Sequence, residues 1–245
     1  MPALTFEQEI ILNEHRIYTS KPLRTLFTLE RLSKEFFQDD FAKLMQGITD
    51  AVNPVAAVSH FAKRYGMFFA TQFYILAAYD MIWDGKHTDF HFDVTKEFGT
   101  YTVAMFINPN DFRYVKESER EEVIETILFR QGHEIVQYLR QTTSISPLII
   151  WESFFVHMVN QYDKLLKDPR TATQAMDDIE ILEDEKVWRR FATKSLFYQY
   201  TQGRNPANLV NQPIRKSCCR SMDIPGQAAC GYCPLNNNDS AETTF

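Results

Sequence analysis

All four cysteines of this 245-residue chain fall within sixteen residues near its end, from Cys218 to Cys233, in the order Cys-Cys, ten residues, Cys, two residues, Cys. No other stretch limits the fold as strongly. The residues from 204 onward are rich in Pro, Asn and Gly and read as a loop-rich module organised by a metal centre rather than by a core. Four thiolates so close in sequence suit zinc, an iron–sulfur cluster or a pair of disulfides. The N-terminal MPALTFEQEIILNEH lacks a basic leader and a small-residue cleavage site, so the chain reads as cytoplasmic, where thiols stay reduced. Zinc usually takes its cysteines as two knuckles. Cys230-Gly-Tyr-Cys233 has that spacing, whereas the side chains of Cys218 and Cys219 must diverge. A two-iron cluster offers two metal ions and accommodates adjacent ligands more easily; zinc stays open on spacing alone.

The charge pattern leads into the same region. Net charge is −6, yet Lys186 to Arg220 holds eight basic residues and no acid, directly after the acidic run DDIEILEDE at 177–185. The cations are placed to receive an anionic ligand or an acidic partner. Arg190, Lys194, Arg215 and Lys216 are the candidates here, with Arg130 from the stretch FRQGHEIVQYLR, where His133 and Arg140 share its helix. No apolar run is long enough to span a bilayer, although peripheral membrane contact stays open. No Gly-rich phosphate loop or dinucleotide fingerprint is present, so the chain reads as binding neither a nicotinamide nor a flavin cofactor itself, and electrons would come from a separate donor.

The periodicity predicts a mainly α protein with a small antiparallel sheet, an α+β fold. Thr5-Phe-Glu-Gln8 opens a short helix as a capping box. Residues 28–48 are helical, and so is 55–78 after the Asn53-Pro54 cap, with a break near Gly66. The sheet is expected around 81–107, with Asp84-Gly85 as a hairpin turn. Helices resume at a Ser118 capping box, after Ser146-Pro147, near Thr171 and over 187–201. The division is a body over 1–203 and a cysteine module with a mobile tail over 204–245. His87, Asp89, His91 and Asp93 alternate along an expected strand, where they form its wet face or a hard-metal site.

The cysteine pattern, preceded by Ile214-Arg215-Lys216 and followed by Pro234-Leu235, resembles the 2Fe–2S motif of the FhuF-like ferric-siderophore reductases. The match is tight over about 215–235. The body agrees coarsely, SPLIIWESFF resembling a Ser-Pro…Trp stretch of that family, and it is also similar to the C-terminal part of aerobactin-type siderophore synthetases. The resemblance implies that Cys218, Cys219, Cys230 and Cys233 ligate a 2Fe–2S cluster. It implies one-electron reduction of a ferric hydroxamate or citrate–hydroxamate siderophore, releasing Fe(II) in the cytoplasm. A ferredoxin, flavodoxin or reductase would supply the electrons. An iron–sulfur sensor binding nucleic acid and a zinc-stapled interaction module are the alternatives; overall acidity and the lack of a recognition helix speak against nucleic acid.

Overall fold

A computed structural model describes residues 3–97 and 99–237. Helix α1 (Phe6–Glu14) opens as expected, Thr5 Oγ1 accepting the Gln8 amide while Gln8 Oε1 accepts the Thr5 amide at 2.9 Å. Two short strands follow, β1 (Ile17–Tyr18) and β2 (Phe27–Thr28). The periodic stretch 28–48 is not one helix. A 3₁₀ turn (Leu29–Ser33) ends at Lys34, whose extended backbone starts α2 (Glu35–Thr49). Helix α3 (Pro54–Tyr79) begins at the Asn53 cap and runs without the break expected at Gly66.

Strand β3 (Met81–Trp83) is followed by a 3₁₀ turn (His87–Asp89), β4 (Phe90–Glu97), β5 (Thr100–Ile107) and β6 (Phe112–Tyr114). One sheet has the order β1-β5-β4-β2 with a parallel β1–β5 pair; β3 and β6 form a separate antiparallel pair. Asp84-Gly85 therefore joins no hairpin. The hairpin turn between β4 and β5 contains Gly99, whose φ of 85° favours glycine. Alternation on β4 buries Phe90 and Phe92, which stack with ring centres 4.9 Å apart, and Phe27 stacks on Phe92 at 4.7 Å. These rings meet Phe61, Tyr65 and Phe68 of α3, and this aromatic layer forms the centre of the core.

The second half is helical: α4 (Arg120–Thr126), a π-helical segment (Ile127–His133), α5 (Glu134–Thr142), α6 (Pro147–Lys167), α7 (Ala172–Glu183) and α8 (Leu196–Thr201). The Ser118 capping box does not form; Glu119 instead accepts the Lys116 amide. Gly66 marks the place where α3 lies against α6, since a Cβ there would come within 3.1 Å of the Phe154 ring and the Ser153 carbonyl oxygen. The helix expected over 187–201 is split. The Leu182 carbonyl accepts Trp188 Nε1 and Ser195 Oγ, both at 2.8 Å, and Ser195 then caps α8 by accepting the Tyr198 amide. Arg190 and Lys194 consequently do not share a helix face.

Residues 204–237 contain only 3₁₀ turns and loops, as expected of the module. They are not a separate body: Leu209, Ile224 and Tyr232 are buried in the same hydrophobic cluster as the helices. The tail expected from residue 236 onward lies outside the described residues, apart from its first two positions. Among the described residues no helix is long and apolar enough to cross a membrane.

Candidate metal centre

Arg220 adopts a left-handed conformation, with φ of 55°, and reverses the chain just after the cysteine pair. Its amide donates to Cys218 Sγ at 3.3 Å, and its guanidinium holds Asp223 at 2.6 Å. The pair diverges, as adjacent side chains must. Cys219 is buried, while Cys218 is half-exposed. Cys219 Sγ lies 3.7 Å from Cys230 Sγ. Two sulfurs bonded at about 2.3 Å to one tetrahedral metal ion are separated by about 3.8 Å, so these two already stand at the spacing of ligands to a single ion. Cys233 is buried, and its amide donates to the Cys230 carbonyl at 3.0 Å, closing the turn of the Cys-x2-Cys pair. Among the described residues no three of His, Cys, Asp and Glu converge on one point.

The loop carrying these thiols is tied to the body by buried polar groups. Glu152, inside the apolar run of α6, accepts the amides of Lys216 at 2.7 Å and Ser217 at 3.0 Å, and the Ser217 hydroxyl. Arg215 is buried beside it, 3.7 Å from its carboxylate, and donates to the carbonyls of Ile149 and Ser217. From α3, Ser59 Oγ donates to the Cys219 carbonyl at 2.8 Å and Lys63 Nζ donates to Ser221 Oγ at 2.7 Å. Tyr232 OH donates to Asn160 at 2.9 Å. The hydrogen bond with Cys230 holds Cys219 as the thiolate, lowered to about 4 against the opposing effect of burial and aided by Lys63, Ser221 and Arg215; the Cys230 thiol is correspondingly raised.

A cleft of about 320 Å³ adjoins the loop. Trp151, Phe155 and Phe191 form its apolar wall, and His133, Arg140 and Lys216 bring nitrogen groups to it. The Trp151 and Phe191 rings are nearly parallel, and His133 stacks on Phe191 at 4.6 Å. Burial, and then Arg140, lowers the His133 pKa and so favours the neutral imidazole. Neither Lys216 nor Arg140 has a carboxylate partner among the described residues.

Of the five expected ligand-binding cations, Lys216 alone lines this cleft. Arg215 is turned inward and serves as an anchor. Arg190 sits 3.7 Å above the Phe129 ring and 3.8 Å from Glu125. Lys194 borders a separate groove with Glu183 and Glu185, and Arg130 lines a narrow one with His87 and Trp83. His87 and Asp89 belong to the 3₁₀ turn; His91 contacts Thr25 and Asp93 accepts the Arg24 amide, so the four residues make no common metal face. Sequence reasoning missed Ser59, Lys63, Glu152 and Ser221. Glu152 had a signal, an acid within SPLIIWESFF that must find partners if the run is buried. Lys63 had none, because its partner lies 158 positions away in the chain.

No family model, curated protein or solved structure matches this chain.

Proposed function

We propose that this protein reduces the ferric iron of an anionic, oxygen-ligated chelate of the hydroxamate siderophore class by one electron, using a 2Fe–2S cluster held by Cys218, Cys219, Cys230 and Cys233. The observation that carries the proposal is the 3.7 Å separation of Cys219 and Cys230, with Cys218 half-exposed beside the buried Cys219. On this reading Cys219 and Cys230 share one iron, leaving Cys218 and Cys233 for the other. When bound, the cluster supplies single electrons at a potential set by its ligands and their hydrogen bonds.

The chain's own residues do the remaining work. Glu152 fixes Lys216 through its main-chain amide, which leaves the ammonium directed to the cleft. Lys216 and Arg140 attract the chelate's negative charge, and the Trp151–Phe191 wall excludes water around it. Ferric iron is the substrate. Once reduced it is softer and less charged, so hard oxygen ligands hold it far more weakly and release it. The reducing electron comes from a separate donor such as a ferredoxin, flavodoxin or reductase.

Four of the eight cations of the basic segment are engaged by acids, Lys186 by Glu121, Arg190 by Glu125, Arg215 by Glu152 and Arg220 by Asp223, which leaves less of the segment's charge for a nucleic acid. Anaerobic reduction followed by mixing with ferric hydroxamate and ferric catecholate chelates tests the function. Fast reoxidation by the hydroxamate alone is expected; no reoxidation by either chelate refutes the proposal.

A further inference from the structure

Helix α3 meets the cysteine loop and α6 with Ser59, Lys63 and Gly66, which lie four and three positions apart and share one face. Gly66 allows the close approach to α6, and Ser59 grips the Cys219 carbonyl. Lys63 does something different. Its ammonium donates to Ser221 Oγ at 2.7 Å, and Ser221 Oγ lies 3.1 Å from Cys219 Sγ.

The direction of both hydrogen bonds follows from the groups involved. An ammonium has only protons to give, so Ser221 Oγ is the acceptor from Lys63. A hydroxyl has a single proton, and a metal-bound thiolate can only accept. The Ser221 proton is therefore directed at the Cys219 sulfur. Ser221 is buried, which keeps water from competing, and its carbonyl accepts the Ile224 amide at 3.1 Å, which fixes the turn. The neighbouring Asp223 carbonyl takes the Val52 amide at 2.8 Å, so the start of α3 and the loop are bound together next to this contact.

We infer that Lys63, acting through Ser221, raises the reduction potential of the centre by holding the Cys219 sulfur in a directed hydrogen bond, an inference that rests on the iron–sulfur reading above. Reduction adds one negative charge to the centre, and a donor aimed at a ligating sulfur stabilises the more electron-rich state. The contact makes the centre easier for a donor to reduce. It also narrows its reach to the more readily reduced ferric chelates. Lys63 is a positioning residue: it touches neither substrate nor metal. The hydrogen bonds of the two cations that precede the cysteines go elsewhere, those of Arg215 to Ser153 and the main chain, while Lys216 lines the cleft.

Potentiometric titration of the reduced centre, followed by electron paramagnetic resonance, tests this in Lys63→Met, Ser221→Ala, the double variant and Lys63→Arg, with iron and acid-labile sulfide measured in each. Both single variants should shift the potential downward. The double variant should go no lower than Ser221→Ala, because the lysine acts through the serine. Lys63→Arg should stay close to the parent, and the shifts should persist at high salt, since screening is weak for a contact inside the fold. Unchanged potentials in variants with full iron and sulfide overturn the inference and leave the proposed function standing. So do additive shifts, which would make Lys63 a remote charge. A parent protein without iron and sulfide overturns both. If Lys63→Met fails to retain the cluster, Ser221→Ala, which leaves the main-chain bonds in place, decides alone.

Discussion

Two buried arginines hold this molecule together, one in the helical body and one at the cysteine loop. Arg120 grips Asp178 with two bonds of 2.5 and 2.9 Å, reaches Asp80 at 2.7 Å and donates to the Leu76 carbonyl. It joins α3, α4 and α7, which aromatic and aliphatic packing already brings together. Arg215 makes longer bonds, of 3.1 to 3.4 Å, to main-chain carbonyls and Ser153, and stands 3.7 Å from Glu152. Its partners Ile149, Glu152 and Ser153 lie on α6, but Arg215 itself sits on a stretch without regular structure, so no packing of elements brings it to them. In the body, packing places the arginine; at the loop, the arginine and Glu152 place the chain. Polar anchors thus fix the loop that carries the cysteines, where Cys219 and Cys230 stand 3.7 Å apart.

The largest effect should come from the body. Arg120→Met strands Asp178 in the interior, where burial already raises its pKa, and should cost about 3–5 kcal/mol in urea denaturation. The loss should be similar in metal-loaded and metal-free protein. Glu152→Ala should cost about 3 kcal/mol, but locally. Limited proteolysis should cut within residues 204–220 and bound metal should fall, while the helical circular dichroism stays near that of the parent. A uniform loss of helix in this variant would erase the distinction between the two regions.

A smaller effect concerns acid. His60, under the sheet with Nε2 2.8 Å from Thr102 Oγ1, is lowered from 6.5 to about 3 by burial and then by Arg64 and Lys63. Between those values the unfolded chain binds a proton that the folded chain refuses. Stability is therefore complete above about pH 6.5 and falls as the pH drops towards 3, by about 1–2 kcal/mol at pH 5 from this group. His60→Gln should flatten the pH dependence of stability in that window. The smallest effect belongs to Lys216→Gln, which should weaken binding of an anionic ferric chelate about twofold to fivefold at low salt and hardly at all at high salt.

The elements written in local chemistry were legible in the sequence: the Thr5 box, the Asn53-Pro54 and Ser146-Pro147 caps, the small sheet around 81–107 and the α+β class. Where the sequence misled, a tertiary contact had overridden a local signal. Gly66 looks like a helix stop until α6 lies against it. The pattern over 187–201 looks helical until the Leu182 carbonyl draws Trp188 and Ser195 to itself. At the site, the thiols and Lys216 could be named from spacing and charge. Arg215 could be named but not assigned its inward role, because burial is not visible in a basic run. Lys63 and Ser221 carry no pattern at all; their contact exists only once α3 and the loop are packed.

What the four thiols hold decides the proposed function most directly. Protein prepared and reconstituted anaerobically should be red-brown and contain about two iron and two acid-labile sulfide per chain, and Cys219→Ser or Cys230→Ser should abolish both. One zinc per chain, with no iron and no sulfide, would contradict it.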